Sequence, residues 1–325
     1  MKIKTAYKKP VIISIFTEQF SSLERYLKVF WVGAVFTILM PIIATWLFMY
    51  YDRSLINECS VMLDYKTSFV NQNNDVIFVG DSSCLMGVSP KVIEKETGLK
   101  VVNLATNGGA GIIGYETVIR KYLKSNPAPK LIVYYISPAI PNFYNVKSFE
   151  QVFSYMRNPD IWLFTSNIGE YNFLHSMSAL TTYLKDKVLH TFSQEDLKKM
   201  QLELQDSKGF KNRNDSANGV SNKVKFNSRY TYGDYFNTAN DPREKIKKLV
   251  SHFNNAETKV IVYLAPMPET EESFDYFKEV YKNLAINAPY KLENKNFSDY
   301  THLTYSGAMV NSKLVSIFLK NFLNL

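Results

Sequence analysis

The sequence predicts an α/β fold: a parallel sheet of about five strands with helices on both faces, preceded by one transmembrane helix and carrying a mostly helical insertion. Three observations lead there. Short, almost continuously apolar runs alternate with helix-length patterns, which is how strands buried on both faces read. The span from Val29 to Tyr51 carries no charge, enough for roughly 30 Å of hydrocarbon at 1.5 Å per residue. Residues 143–242 break the alternation and lie outside the sheet pattern.

The expected strands are 75–80, 100–105, 130–136 and 260–264, with a weaker fifth at 290–292. Each is a β-branched or aromatic run bounded by turn residues. Between them, helical patterns cover 90–96, closed by Gly98, and 112–123, closed before Pro127. Later patterns cover 242–253, 271–284 and 305–322. Such an alternation implies a doubly wound, flavodoxin-like sheet, in which ligands bind beyond the carboxyl ends of the strands. Chemistry is therefore to be sought just after Val79, Ala105, Ile136 and Leu264. In the insertion, helices are expected at 153–163, 171–189 and 194–204, and the polar stretch 207–225 as a loop. It reads as a cap over the strand ends.

Hydrophobic residues make up 46% of the chain, with 22 Tyr and 22 Phe, which excludes a disordered protein. The net charge of +8 is concentrated at the N-terminus, where Lys2, Lys4, Lys8, Lys9, Arg25 and Lys28 face only Glu18 and Glu24. What remains is too dilute for a phosphate-binding face, so nucleic acid is not an expected partner. Basic residues ahead of an apolar span instead follow the positive-inside rule. The expected organisation is a cytoplasmic basic segment (1–28), a transmembrane helix (29–51) and an extracytoplasmic domain (52–325). A cleaved signal peptide would be shorter and end in small residues. Here Trp46 to Tyr51 closes the span with a bulky rim. From Ile12 to Leu27 the apolar residues recur every three or four positions, as in a helix lying on a membrane face. Cys59 and Cys84 leave a disulfide open. The two Cys and four His lack metal-ligand spacing, so no metal and no cofactor are expected.

Two segments carry chemistry. The first strand ends in Gly80-Asp81-Ser82-Ser83, a tight turn that would hold a serine at the open edge of the sheet with its own N–H facing the crevice. Near the C-terminus, Asp299 precedes His302 by three residues in a loop. Its carboxylate can take the imidazole Nδ1–H and leave Nε2 to accept a proton from a serine. His175, His190 and His252 fall in or beside helical patterns, where a structural or solvated role is expected.

Together these segments resemble the SGNH/GDSL hydrolase superfamily. Gly80-Asp81-Ser82 matches its first block. Asn103 to Gly108 fits the second, with Gly108 as an oxyanion donor beside Ser82. Asp299-Tyr300-Thr301-His302-Leu303 matches the last. The family's Gly-x-Asn-Asp block is missing after the third strand, where Ser137-Pro138 leads to Asn142, a candidate third donor. That departure, with the anchor, resembles the membrane-anchored branch of teichoic acid D-alanylation and alginate O-acetylation proteins. The resemblance implies an extracytoplasmic O-acyltransferase, acetyl being the expected group, that modifies a cell-surface or secreted polysaccharide. It implies catalytic Ser82, His302 and Asp299, and a membrane-bound O-acyltransferase as partner. A membrane-anchored esterase or deacetylase with the same triad, and a non-catalytic glycan- or partner-binding protein, remain the alternatives.

Overall fold

A computed structural model describes residues 23–37, 39–40, 43, 58–106, 111–138, 193–212, 242–270, 274–299 and 301–325. The chain forms two compact units, Met1–Arg53 and Ser54–Leu325. In the first, residues 23–37 are helical, with Lys28 and Glu24 paired at 2.6 Å. Among the described residues no helix is long and apolar enough to cross a membrane. From position 41 onward the span expected at 29–51 lies outside the described residues except for Ile43, as does the basic segment before Leu23.

In the second unit the elements run α1 (Glu58–Thr67), β1 (Val76–Gly80), α2 (Ser82–Gly87), α3 (Pro90–Thr97), β2 (Val101–Asn103), α4 (Gly111–Ser125) and β3 (Leu131–Ile136). There follow α5 (Gln194–Asp206), α6 (Pro242–Phe253), β4 (Lys259–Leu264), β5 (Met267–Pro268), α7 (Phe274–Tyr281), β6 (Lys291–Leu292) and α8 (Tyr305–Leu323). Strands β1 to β4 form one parallel sheet in the order 2-1-3-4. Period-two alternation divides its side chains. Phe78, Val133, Tyr135, Ile261 and Tyr263 join one core with Ile93 of α3 and Val315 and Leu319 of α8. Ile77, Val79, Ile132 and Tyr134 point to the other face and are fully buried there, where the Tyr134 ring meets Tyr115 of α4 at 5.6 Å.

The fifth strand expected at 290–292 does not join this sheet. Lys291–Leu292 pairs in parallel with Met267–Pro268 as a separate two-stranded sheet. A side chain takes its place at the edge of β4. Ile286 N–H donates to Val262 O at 2.8 Å, and the Asn287 carboxamide then accepts from Leu264 N–H at 2.7 Å and donates to Leu264 O at 3.1 Å. Once Asn287 has satisfied both backbone groups of Leu264, the next residues have no ladder to extend. The disulfide left open by the sequence is not formed, since Cys84 is a free, buried thiol. Of the insertion, the helix expected at 194–204 is present as α5; the patterns at 153–163 and 171–189 and the loop beyond Asn212 lie outside the described residues.

Candidate active site

The turn after β1 is dictated by Gly80. In the β1–β3 register Gly80 lies opposite Tyr135, so close that a Cβ on residue 80 would sit 1.8 Å from the Tyr135 carbonyl oxygen. Asp81 then caps α2, its Oδ1 accepting from Ser83 N–H at 2.8 Å. Its Oδ2 accepts from Ser137 N–H at 3.0 Å, which ties the end of β1 to the end of β3. Asp81 is fully buried. Burial pushes its carboxyl above the usual carboxylate range, opposed by the bonds from Ser83 and Ser137 and by the nearby His302.

Ser82 is the first residue of α2 and half-buried. As the opening residue of the helix its N–H has no intrahelical carbonyl to bond. Ser83 is buried and its hydroxyl donates to Asp81. Of the two adjacent serines, then, Ser82 is the one whose hydroxyl is turned to the crevice.

His302 reaches the same point from the far end of the chain. A bridge between Phe297 and Leu303 closes the loop that holds it. Asp299 Oδ1 accepts from the backbone N–H groups of Thr301 and His302 at 3.0 and 2.9 Å, which fixes the carboxylate. Both Asp299 oxygens lie 2.8–2.9 Å from His302 Nδ1, and His302 Nε2 lies 2.8 Å from Ser82 Oγ. With Nδ1 donating to Asp299, Nε2 is left as the acceptor for the Ser82 hydroxyl proton. The imidazole is one-fifth exposed and the Asp299 side chain two-fifths exposed, so the site opens to solvent on one side.

Buried polar side chains join the two ends of the chain. Asn311 of α8 donates to Gly87 O at 2.7 Å and to Tyr135 Oη at 2.9 Å. Ser312 Oγ accepts from Ser89 N–H at 2.8 Å. Thus α8, which follows His302, is bonded to the C-terminal end of α2, which begins at Ser82. On the β2 side, Asn103 donates through Nδ2 to Cys84 O and Val88 O, both at 2.9 Å, and accepts from Ala105 N–H. The sequence offers Asn103 only as the opening of a glycine block, and nothing in it marks out Asn311 and Ser312 among the other polar residues of α8.

The structure brings together Ser82, His302 and Asp299. Gly108 and Asn142 lie outside the described residues, as do His175 and His190. His252 lies apart, its Nε2 accepting from Arg120 Nη2 at 2.6 Å. Among the described residues no group of three or more His, Cys, Asp or Glu could hold a metal ion. No family model matches the chain, and no curated protein matches it in sequence.

Proposed function

We propose that the chain is a serine-dependent acyl-transfer enzyme of the SGNH/GDSL kind, acting outside the cytoplasm on a polysaccharide. The observation that carries this reading is the hydrogen-bonded line from Asp299 through His302 to Ser82 Oγ, assembled from distant parts of the chain at the carboxyl end of the central strand β1. In the proposed cycle Ser82 Oγ attacks the carbonyl of an acyl donor while its proton passes to His302 Nε2. The tetrahedral oxyanion is held by the Ser82 N–H and, as the family resemblance implies, by Gly108. Its collapse expels the donor's leaving group, which takes the proton from His302, and leaves an ester on Ser82. A sugar hydroxyl then gives its proton to His302 and attacks that ester, and Ser82 recovers its proton as the acylated sugar departs.

The flavodoxin-like reading of the sheet is supported by the order 2-1-3-4. The membrane anchor at 29–51, and with it the outward placement of 52–325, is supported by the charge-free span and by Val29, Phe30, Trp31 and Val32, all about two-thirds exposed. By resemblance, a membrane-bound O-acyltransferase would supply the acyl group. Hydrolysis is the second reading, favoured by the partial exposure of Ser82, which leaves its hydroxyl open to water.

A fluorophosphonate probe tests the nucleophile. The adduct is expected on Ser82 and lost in Ser82→Ala; an adduct on Ser83, or labelling that persists in Ser82→Ala, would overturn the assignment.

A further inference from the structure

A concavity that the chemistry above does not use lies at the start of α8, three residues past His302. It has a volume of about 540 Å³ and lies between α3, the end of α5 and the start of α8, within the range of about 300–1,000 Å³ seen for small-molecule sites. Two aromatic rings line it, Phe210 and Tyr305, 6.4 Å apart and tilted by 52°. The polar groups around them are the carboxylates of Glu203 and Asp206, the Lys91 amine and the Asn212 amide.

The groove is built onto the catalytic elements. Tyr305 follows His302 by three residues, so their Cα atoms stand within roughly 11 Å. Phe210 packs in one cluster with Phe297 and Leu303, the two residues that close the His302 loop. Lys211 N–H donates to Leu85 O of α2 at 3.1 Å, and Asn103 N–H donates to Lys208 O at 3.0 Å. The turn that carries Phe210 is thereby stapled to the helix that carries Ser82.

We propose that this groove is the acceptor subsite and holds a segment of uncharged or amino-substituted glycan. The proposal rests on the acyl-transfer reading and adds the acceptor's chemical class. Sugar rings present C–H faces that pack on aromatic side chains and hydroxyls that bond to carboxylates and amides. Tyr305 is exposed and offers such a face. Charge selects among glycans. Lys91 is bound to Asp206 at 2.8 Å, which leaves Glu203 as the lining's excess charge, so a polyuronate or phosphodiester polymer meets repulsion there.

Calorimetry on the full-length Ser82→Ala protein tests the subsite without turnover. The probes are neutral tetrasaccharides of N-acetylglucosamine, glucose and mannose, and tetragalacturonate. At least one neutral probe is expected to bind, and tetragalacturonate to bind about tenfold more weakly. Adding Tyr305→Ala should weaken the neutral probe about tenfold, whereas Tyr305→Phe should retain it. Asp206→Lys, at a side chain four-fifths exposed, should narrow the gap between neutral and anionic probes and guards against a folding defect at Tyr305. Binding of none of the neutral probes, a preference for tetragalacturonate, or indifference to both Tyr305→Ala and Asp206→Lys overturns the proposal. Fluorophosphonate labelling of the wild type separates the two readings. Labelling at Ser82 without glycan binding defeats the subsite alone, and glycan binding without labelling defeats the acyl-enzyme alone.

Discussion

Lys66 is fully buried, and its ammonium nitrogen bonds the carbonyl of Asn103 and, at 2.5 Å, that of Gly209. Burial lowers its pKa from the ordinary 10.5 to about 7, opposed by the neighbouring Cys84. Burial pushes the Cys84 thiol up, which keeps it neutral. Between pH 7 and 10.5 the unfolded chain holds a proton on Lys66 that the folded chain does not, so stability rises with pH across that window. The slope is about 1.4 kcal/mol per pH unit, and the full span is worth about 5 kcal/mol. Lys66→Met keeps the stem but removes the donors, leaving two buried carbonyls short of a bond at a cost of about 1–3 kcal/mol each. The variant should therefore be less stable than wild type at pH 9. Its deficit should shrink by about 2 kcal/mol on going to pH 7, where about half of the folded wild type carries a buried charge. Urea denaturation of both proteins at the two pH values gives that difference with all other titrations cancelled. A deficit that stays constant, or grows on acidification, refutes the linkage.

The remaining expectations concern the site. His302→Ala should lower ester turnover by about 10²–10⁴-fold, and Asp299→Asn by up to about 10⁴-fold through the wrong imidazole tautomer; in the double variant the losses should not multiply, because the residues act as a unit. Asp81→Asn turns an amide donor toward Ser83 or Ser137, both of which donate to that carboxylate, so thermal denaturation should show a loss of about 1–3 kcal/mol together with slower labelling of Ser82. Gly80→Ala forces β1 and β3 apart where they register. It should lower the melting temperature and abolish labelling; an unchanged melting temperature would show that the close approach to Tyr135 is not needed.

What could be read from the chain follows the range of the forces involved. Strands β1 to β4 are legible because both faces are buried and each run is apolar throughout, a signal carried by the residues themselves. The pair at Met267–Pro268 and Lys291–Leu292 is not, since Asn287 decides it, and no local pattern announces that a carboxamide will imitate a strand. Ser82, Asp299 and His302 are legible as a set because Ser82 ends a strand and the Asp299–His302 loop follows the last strand-like run, positions that concentrate chemistry, although Asp and Ser singly are common in any turn. Lys66, Asn103 and Asn311 look like ordinary polar residues in sequence. Only packing with elements distant in the chain buries them and supplies partners, so their roles appear only in three dimensions.

The two aspartates of the site divide the work by environment. Asp81 is wholly enclosed, and its two oxygens accept from Ser83 N–H, Ser83 Oγ and Ser137 N–H. It holds α2 against β3 and has no open face toward the imidazole ring. Asp299 is two-fifths exposed, with one oxygen already positioned by two backbone N–H groups and both within reach of Nδ1. In the proposed cycle a carboxylate fixed in advance would cost no reorganisation when the imidazolium forms beside it, which is the condition for effective electrostatic stabilisation. Asp81 sets where the serine stands, and Asp299 sets which nitrogen of His302 faces it. Both conditions must hold at once for a 2.8 Å contact between Nε2 and Oγ to serve proton transfer. That requirement gives a reason for the bonds from α8 to the end of α2 through Asn311 and to the cap of α3 through Ser312: the serine and the histidine lie far apart in the chain, and these contacts help to define their separation.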